Sequence, residues 1–171
     1  MLSHDRCRCL GELLIDFTCV DTDADGYPTM AAHPGGAPAN FLAALAKFGA
    51  HTALIGKVGT GTFGKLLIGT LRKAGIETSG LIAAENVFTT LAFMTLDETK
   101  KREFSFSRKP GADTCLPFEE IDLRLIDETK VNFGTLPLFY DLPQRIPEDP
   151  TVFSGTGYLP EPVLRRLSLR L

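Results

Sequence analysis

The polar side chains best suited to bind a small ligand stand where predicted elements end or begin. Asp16 ends the apolar run 10–17, and Asn40 lies in the first turn of a predicted helix that follows Gly35 and Gly36. A carboxylate accepts several hydrogen bonds, and an amide both donates and accepts. Glycines at a helix start let a ligand approach the backbone where the N–H groups of the first turn are free. These residue types fit a hydrogen-bonding site. The alternatives are that Asp16 caps a turn and that Gly36 and Asn40 serve only the helix start.

A second glycine pattern points to a different ligand. Gly59, Gly61 and Gly64 form G-x-G-x-x-G between a predicted strand and a predicted helix, and Glu85 follows 21 residues after Gly64. In a dinucleotide-binding fold such glycines cradle a pyrophosphate, and the acid binds a ribose. That fingerprint normally follows the first strand of its domain, whereas here a strand, an irregular segment and a helix precede it. An NAD(P)-binding oxidoreductase domain is one alternative, and glycines that only shape a turn and pack a helix are another.

Charge and composition argue against several other classes of partner. The 171 residues carry 18 Lys and Arg against 21 Asp and Glu, and a formal charge of −3 does not favour binding to nucleic acid or to an anionic membrane. No apolar run approaches the roughly 20 residues that span a bilayer. The three histidines are scattered and the four cysteines include no CxxC pair, so no metal site is expected. We expect a cytoplasmic protein that binds a small molecule.

Strands and helices alternate in the elements that would position these residues. Strands are predicted at 10–17, 51–58, 81–83 and 131–135, and helices at 39–48, 63–74 and 118–128. Two βα units in succession predict a parallel sheet covered by helices. Phe41, Leu45 and Phe48 recur at helical spacing, and Gly49 supplies a C-terminal stop, which supports the helix predicted at 39–48. Leu66, Leu67 and Leu71 are predicted to face inward from the second helix. Residues 18–33 and 89–107 have hairpin patterns that break the βα rhythm, so they predict a small β flap.

Four motifs follow one another along residues 9–136. They are Gly11-Glu12-Leu13-Leu14-Ile15-Asp16, Gly35-Gly36-Ala37-Pro38-Ala39-Asn40, Gly56-Lys57-Val58-Gly59 with Phe63-Gly64, and Arg108-Lys109-Pro110-Gly111-Ala112-Asp113. In this order and spacing they resemble the N-terminal half of the ribokinase-like (PfkB) sugar kinases, and the fructokinase branch looks closest. The resemblance implies a three-layer α/β fold with a small β flap, or lid. It also implies ATP-dependent phosphorylation of a sugar hydroxyl by the full-length enzyme.

The resemblance implies that a defined set of residues binds the sugar. The set is Asp16, Gly35, Gly36, Asn40, Thr90, Phe104, Phe106 and Arg108. Asp16 would accept hydrogen bonds from sugar hydroxyls, and Asn40 would donate and accept at the helix start. An aromatic ring of the flap would cover the apolar face of the sugar, and Arg108 would reach a hydroxyl or a phosphate. The other interpretation is that Phe104 and Phe106 face one side of a half-buried strand and that Arg108 is solvated.

The resemblance further implies that this chain is a truncated kinase. In the family a Gly-Ala-Gly-Asp motif in the C-terminal half supplies the general base and the anion hole, and no such motif occurs here. We expect residues 1–136 to be the N-terminal portion of the kinase domain. Six of the 11 prolines fall in 137–171, which predicts an irregular tail without a family match.

Activity and assembly follow from the same expectation. ATP and magnesium would serve the full-length enzyme at sites that this chain lacks, so the chain alone would be inactive, and no catalytic residue is assigned to it. The alternative is a non-catalytic sugar-binding or pseudokinase-like fragment. Unpaired strand edges expected in the flap favour a homodimer.

Overall fold

Two β-sheets organise the part of the chain that the computed structural model describes, which is residues 6–96, 101–122, 124–127 and 130–133. In chain order the elements are β1 (Arg6–Leu10), β2 (Leu14–Thr22), β3 (Pro28–Gly35), α1 (Ala37–Lys47), β4 (His51–Gly59), α2 (Thr62–Lys73), β5 (Ile76–Glu77), β6 (Leu81–Ala84), β7 (Leu91–Leu96), β8 (Arg102–Ser107), α3 (Arg124–Asp127) and β9 (Lys130–Phe133). The main sheet has the strand order β5-β4-β1-β9, and β6 also pairs with β4. The second sheet, which we call the lid sheet, has the order β3-β2-β7-β8.

The apolar run 10–17, predicted as one strand, belongs to two strands in different sheets. Leu10 ends β1 of the main sheet, and β2 of the lid sheet begins at Leu14. The prediction was wrong because the connection between them stays buried, with Leu13 only 1% exposed, and so leaves no polar break in the pattern. Asp16 therefore lies near the start of a lid strand and not at the carboxyl end of a main-sheet strand.

The two predicted hairpins form the lid sheet. Strands β2 and β3 pair antiparallel, as do β7 and β8. Parallel pairing of β2 with β7 joins the two hairpins into one sheet. The Ile15 N–H donates to the Thr90 carbonyl at 3.0 Å, which extends this parallel pairing to the residue before β7.

Helix α1, predicted at 39–48, packs on the main sheet through small residues and Leu42 and not through its phenylalanines. Ala39 and Leu42 are buried, whereas Phe41 is half exposed and Phe48 is 89% exposed. Small residues along α1 let the helix approach the sheet closely, and the contact therefore follows the alanines and Leu42 and not the phenylalanines. The spacing was a correct indication of a helix, but it did not identify the buried side.

The core between the main sheet and the two long helices is aliphatic. Its buried members are Cys9, Leu13, Ile15, Ala39, Leu42, Leu54, Val58, Leu67, Leu71 and Ile76. Helix α2 contributes Leu67 and Leu71 as predicted, although Leu66, also predicted to face inward, is 44% exposed. Each fully buried leucine contributes about 1.5–3 kcal/mol to folding relative to an exposed one.

The last described segment differs in detail from its prediction. The helix predicted over 118–128 is a 3-10 turn (Phe118–Glu120) followed by the short α3, and β9 occupies the start of the strand predicted at 131–135. The tail 137–171 lies outside the described residues.

Two further findings concern expectations from composition. Within the described ranges, no helix is long and apolar enough to cross a membrane. All four cysteines are free. A hydrogen bond with Cys7 and burial raise the pKa of the Cys9 thiol, which makes Cys9 a neutral core residue.

Candidate functional site

One face of the lid sheet gathers most of the residues singled out in the sequence. The pairing register places Asp16 beside Ala92 and Ala92 beside Phe106. Residues that face each other across a sheet share a side, and so do residues two positions apart along a strand. Phe104 therefore lies on the same face as Asp16 and Phe106. The opposite face of β2 presents Phe17, which packs inside the molecule.

The packing of Phe17 fixes which face of the lid sheet is free. Its ring stacks on Phe93 with centroids 5.1 Å apart and meets Phe63 of α2 edge to face at 5.6 Å. This face of the lid sheet is thus occupied by α2. The face that carries Asp16 keeps its aromatic rings accessible, since Phe104 and Phe106 are 53% and 52% exposed.

The Asp16 carboxylate lies directly over Gly35. A methyl group added at Gly35 would stand 2.0 Å from Asp16 Oδ2, so only a residue without a side chain leaves the carboxylate its position. Burial raises the pKa of Asp16, and the neighbouring His33, its cross-strand partner, lowers it by a smaller amount. The result is a partly desolvated carboxylate, which gains energy from any ligand that supplies hydrogen-bond donors.

Gly36 begins helix α1 in a conformation that favours glycine. Its φ is 115°, and an added Cβ would lie 2.5 Å from the Glu12 carbonyl oxygen. The buried Glu12 side chain accepts a hydrogen bond from the Ala37 N–H at 3.3 Å, which satisfies one of the free N–H groups of the helix start. Asn40 stands in the first turn with its side chain exposed. The helix start is therefore held from below by Glu12 while Asn40 faces solvent.

Arg108 is held by buried partners at the end of β8. Its Nε donates to Asp113 Oδ2 at 2.9 Å, and its Nη2 donates to the same oxygen. The hydroxyl of Thr90, a fully buried residue, donates to Asp113 Oδ1. The guanidinium also lies 5.4 Å from the centroid of the Phe106 ring. Arg108 is thus an ordered, paired side chain and not a solvated one.

The glycine loop before α2 packs a strand against a helix. A Cβ at Gly64 would lie 1.7 Å from the Gly59 carbonyl oxygen, and one at Gly59 would lie 2.6 Å from the Val87 carbonyl oxygen. Gly61 has nothing within 4 Å of an added Cβ. The Gly59 N–H donates to Thr89 Oγ1 at 3.1 Å and so is not free for a pyrophosphate. This geometry supports the interpretation in which the glycines shape a turn.

The structure brings two further carboxylates to the site. Glu12 supports the helix start and Asp113 holds Arg108, and both are buried, at 5% and 1% exposure. Their sequence signal was available, because Glu12 interrupts an apolar run and Asp113 closes the last of the four motifs. A buried carboxylate needs partners, and an acid inside an apolar run is therefore a candidate for a positioning role.

No set of described residues is arranged to hold a metal ion. In the described ranges there is no group of three or more His, Cys, Asp or Glu side chains with the required proximity. Glu12 accepts from the Ala37 N–H, and Asp113 accepts from Thr90 and Arg108, so these two buried carboxylates already have partners within the protein.

The chain is similar to known carbohydrate kinases. The model of the pfkB carbohydrate kinase family matches residues 5–131. A curated relative, probable fructokinase-3 of Arabidopsis thaliana, is 41% identical over 131 residues, which cover 75% of this chain and 38% of that protein. The chain thus spans well under half the length of this relative.

Solved structures similar to this chain include a fructokinase and a putative ribokinase. The crystal structure of fructokinase with bound ATP from Xylella fastidiosa has a TM-score of 0.70 and 30% identity, covering 76% of this chain and 42% of that one. A putative ribokinase II from E. coli, solved in complex with ATP and Mg²⁺, has a TM-score of 0.74 over 96% of this chain and 56% of that one. At 21% identity the latter similarity concerns the fold alone.

Proposed function

Because the chain belongs to the pfkB family of carbohydrate kinases, we propose that it carries the sugar-binding portion of a fructokinase-like enzyme. Such an enzyme transfers the γ-phosphoryl group of ATP to a sugar hydroxyl. The observation that carries the proposal is the accessible lid face on which a partly desolvated carboxylate, two aromatic rings and a fixed arginine lie together. Hydroxyl donors and an apolar ring face are the two features by which a sugar is recognised, and this face matches both.

Asp16 and the helix start form the hydroxyl-binding side of the proposed site. Asp16 accepts hydrogen bonds from two sugar hydroxyls, and Gly35 leaves room for its carboxylate. Gly36 lets the sugar approach the start of α1, where Asn40 donates and accepts a hydrogen bond. The raised pKa of Asp16 supports this role, since a carboxylate already deprived of water loses little further solvation when a sugar covers it.

The lid residues form the other side of the proposed site. Phe104 or Phe106 covers the apolar face of the sugar ring, and Arg108 donates to a sugar oxygen. Thr90 serves the sugar through Asp113, because its hydroxyl donates to that carboxylate. The exposure of Phe104 and Phe106 supports this assignment, because about half of the surface of each side chain remains accessible to a ligand in the folded chain.

The catalytic groups of such an enzyme lie outside the residues assigned here. We place the general base and the ATP and magnesium sites in the part of a full-length kinase that the match does not cover, and no Gly-Ala-Gly-Asp sequence occurs in the 171 residues. Residues 1–136 are then the N-terminal portion of the kinase domain, with its flap at about 18–33 and 89–107, and 137–171 is a proline-rich extension. A cytoplasmic location is part of the same proposal.

Calorimetric titration of the purified chain tests the sugar site. We expect binding of fructose, with glucose, ribose and adenosine as comparison ligands, and weaker fructose binding by Asn40→Ala. Lys47→Ala is the matched control, because Lys47 is an exposed residue at the other end of the same helix. Equal affinities for parent and Asn40→Ala would remove Asn40 from the site, and no binding of any of the four ligands would contradict the proposal as a whole.

A non-catalytic sugar-binding module is the second candidate function. The accessible lid face favours it as well, because sugar binding by Asp16 and the half-exposed rings requires no phosphoryl transfer. Sequencing the gene downstream of these residues separates the two candidates. An in-frame continuation with the Gly-Ala-Gly-Asp motif supports the kinase, and a stop codon without it supports the module.

A homodimer through the lid sheet is the proposed assembly. Phe104 and Phe106 leave apolar surface on the lid, and Val20 and Tyr27 of the neighbouring hairpin are 59% and 70% exposed. Sedimentation velocity at increasing protein concentration tests this assembly. A single monomer peak at the highest concentration would count against it.

A further inference from the structure

Asp113 neutralises Arg108 at the point where Arg108 reaches the accessible lid face. The Asp113 side chain is completely buried, whereas the Arg108 side chain keeps 19% of its surface exposed. Two N–H groups of the guanidinium point to Asp113 Oδ2, and no other side chain in the described ranges is bonded to the remaining ones, which can serve another acceptor. Arg108 can therefore still donate hydrogen bonds to a ligand, but its charge is already balanced.

The pair is built into the fold. A Cβ at Gly111 would lie 1.9 Å from Thr90 Oγ1 and 2.8 Å from Asp113 Oδ1, so the backbone closes directly over the carboxylate. The Thr90 hydroxyl occupies one oxygen of Asp113 and Arg108 occupies the other. Arg108 cannot leave the pair without stranding the charge of the completely buried Asp113, which is costly.

The accessible lid face also carries an acidic residue on β2. Asp16 lies on the lid face that carries Phe106, and Phe106 contacts the Arg108 guanidinium. A ligand with its own carboxylate or phosphate would meet the acidic Asp16 and a cation whose charge Asp113 already balances. A neutral polyol would meet acceptors at Asp16 and donors at Arg108.

We propose that Asp113 is a specificity-determining residue which makes the site select neutral sugars and reject sugar acids. This inference rests on the proposed sugar-binding function. Asp113 acts through Arg108 and touches no sugar atom itself, so its role is to position the guanidinium and cancel its charge. Without the Asp113 charge, the same arginine becomes a free cation and attracts anionic sugars.

Calorimetric titration of the 171-residue chain with three sugars of one carbon skeleton tests the proposal. The probes are fructose, 2-ketogluconate, in which C1 of fructose is oxidised to a carboxylate, and fructuronate, in which C6 is. We expect the parent to bind fructose about tenfold or more tighter than either acid. We expect Asp113→Asn to lower the preference for fructose by about tenfold, because the isosteric amide keeps an acceptor but removes the charge. Glu120→Gln is the matched control, since Glu120 pairs with Lys57 at 2.6 Å elsewhere in the fold, and its preference should equal that of the parent.

The outcomes separate this inference from the function on which it rests. If the parent binds fructose and Asp113→Asn keeps the same preference, Asp113 does not determine specificity. If the parent binds either acid as tightly as fructose, the proposal is overturned without any variant, even if Asp113→Asn fails to fold. If the parent binds none of the three, the proposed sugar site itself is wrong. A purely structural role of Asp113 would weaken all three ligands alike and leave the preference unchanged.

Discussion

At the residue scale, the Asp16 carboxylate is proposed to bind a sugar, and its burial lowers the stability of the folded chain. Burial raises its pKa, so the ionised carboxylate is less favourable in the folded chain than in the unfolded one. Asp16→Asn should therefore leave the chain at least as stable at neutral pH. The same change should weaken fructose binding by about 1.5–3 kcal/mol, because a charged acceptor is replaced by a mixed donor and acceptor. Thermal melting and calorimetry measure the two effects, and equal sugar affinities would remove Asp16 from the site.

The pH dependence of binding gives a second check on Asp16. For a raised carboxyl pKa, stability is fully present below the unfolded-state value and is lost as pH rises through the folded-state value. Sugar binding has the opposite sign, because the accepting form is the ionised one. As pH falls, fructose affinity should begin to decline at a higher pH than an ordinary aspartate would give, and the Asn variant should not show this decline. A parent profile as flat as that of Asp16→Asn would argue against the carboxylate as the acceptor.

Gly35→Ala tests the space beneath the same carboxylate. The added methyl would stand 2.0 Å from Asp16 Oδ2 and 2.6 Å from its Cγ, so the carboxyl group must turn away from its position. We expect sugar affinity to fall more than stability, since a side chain yields more readily than a backbone. Gly69→Ala is the control, because an added Cβ there has nothing within 4 Å. If Gly35→Ala binds sugar like the control variant, the position of the carboxylate does not matter for binding.

At the scale of elements, the turn between β4 and α2 contains glycines packed closely against neighbouring backbone, and one glycine, Gly61, with open space around its Cα. Gly64→Ala would push a methyl group against the Gly59 carbonyl oxygen, and we expect a loss of about 1–3 kcal/mol in unfolding free energy. Gly61→Ala should cost less than about 1 kcal/mol, because the position is an open helix N-cap. Denaturant unfolding of both variants measures the difference. Equal costs would mean that the two glycines serve the same purpose.

The same turn is expected to leave dinucleotides unbound. Titration with NAD and NADP measures this directly, with Gly61→Val as the variant that would block a pyrophosphate. Micromolar binding that disappears in Gly61→Val would restore the dinucleotide interpretation, whereas no heat of binding agrees with a turn that only packs α2 on the sheet.

Local patterns in the sequence predicted most elements because they depend on neighbouring residues. The glycines around α1 and α2 and the alternation in β7 and β8 set these elements without reference to the rest of the chain. The division of residues 10–17 between two sheets could not be predicted, since burial on both sides of the connection conceals the change of sheet. The buried face of α1 could not be predicted either, because it depends on how closely the helix approaches β4.

In the candidate site too, residues within a motif could be predicted from sequence, whereas contacts between residues far apart in the chain could not. Motif residues such as Asp16 and Arg108 were identified from sequence. The partners of Arg108 depend on a contact between β7 and the loop after β8, since Thr90 and Asp113 are 23 residues apart. Gly111 could be read as a turn residue, but its close approach to Thr90 emerges only when the lid sheet is assembled.

At the scale of the whole molecule, the chain of 171 residues should not phosphorylate sugars by itself. A positioned general base contributes about 10²- to 10⁴-fold to the rate, and an anion hole and a nucleotide site contribute further orders of magnitude. None of these groups is assigned to the described residues. A coupled assay with fructose and ATP should give a rate near background, with a full-length fructokinase as the positive control. Robust turnover would reveal a phosphate-binding site within this chain and contradict the proposal that it carries only the sugar-binding portion of the enzyme.

Two consecutive threonines connect the lid sheet to the rest of the molecule. Thr89 binds the Gly59 N–H of the main sheet, and its neighbour Thr90 binds Asp113, the anchor of Arg108. Their Cα atoms are about 3.8 Å apart, so one peptide unit separates the residue bonded to the main sheet from the residue bonded to the anchor of Arg108. Arg108 therefore stands next to the anchored end of the lid sheet, and Phe104 stands farther from it along β8. A lid that closes on the proposed sugar would carry Phe104 through a wider arc than Arg108, so we expect the arginine to be positioned before the aromatic ring.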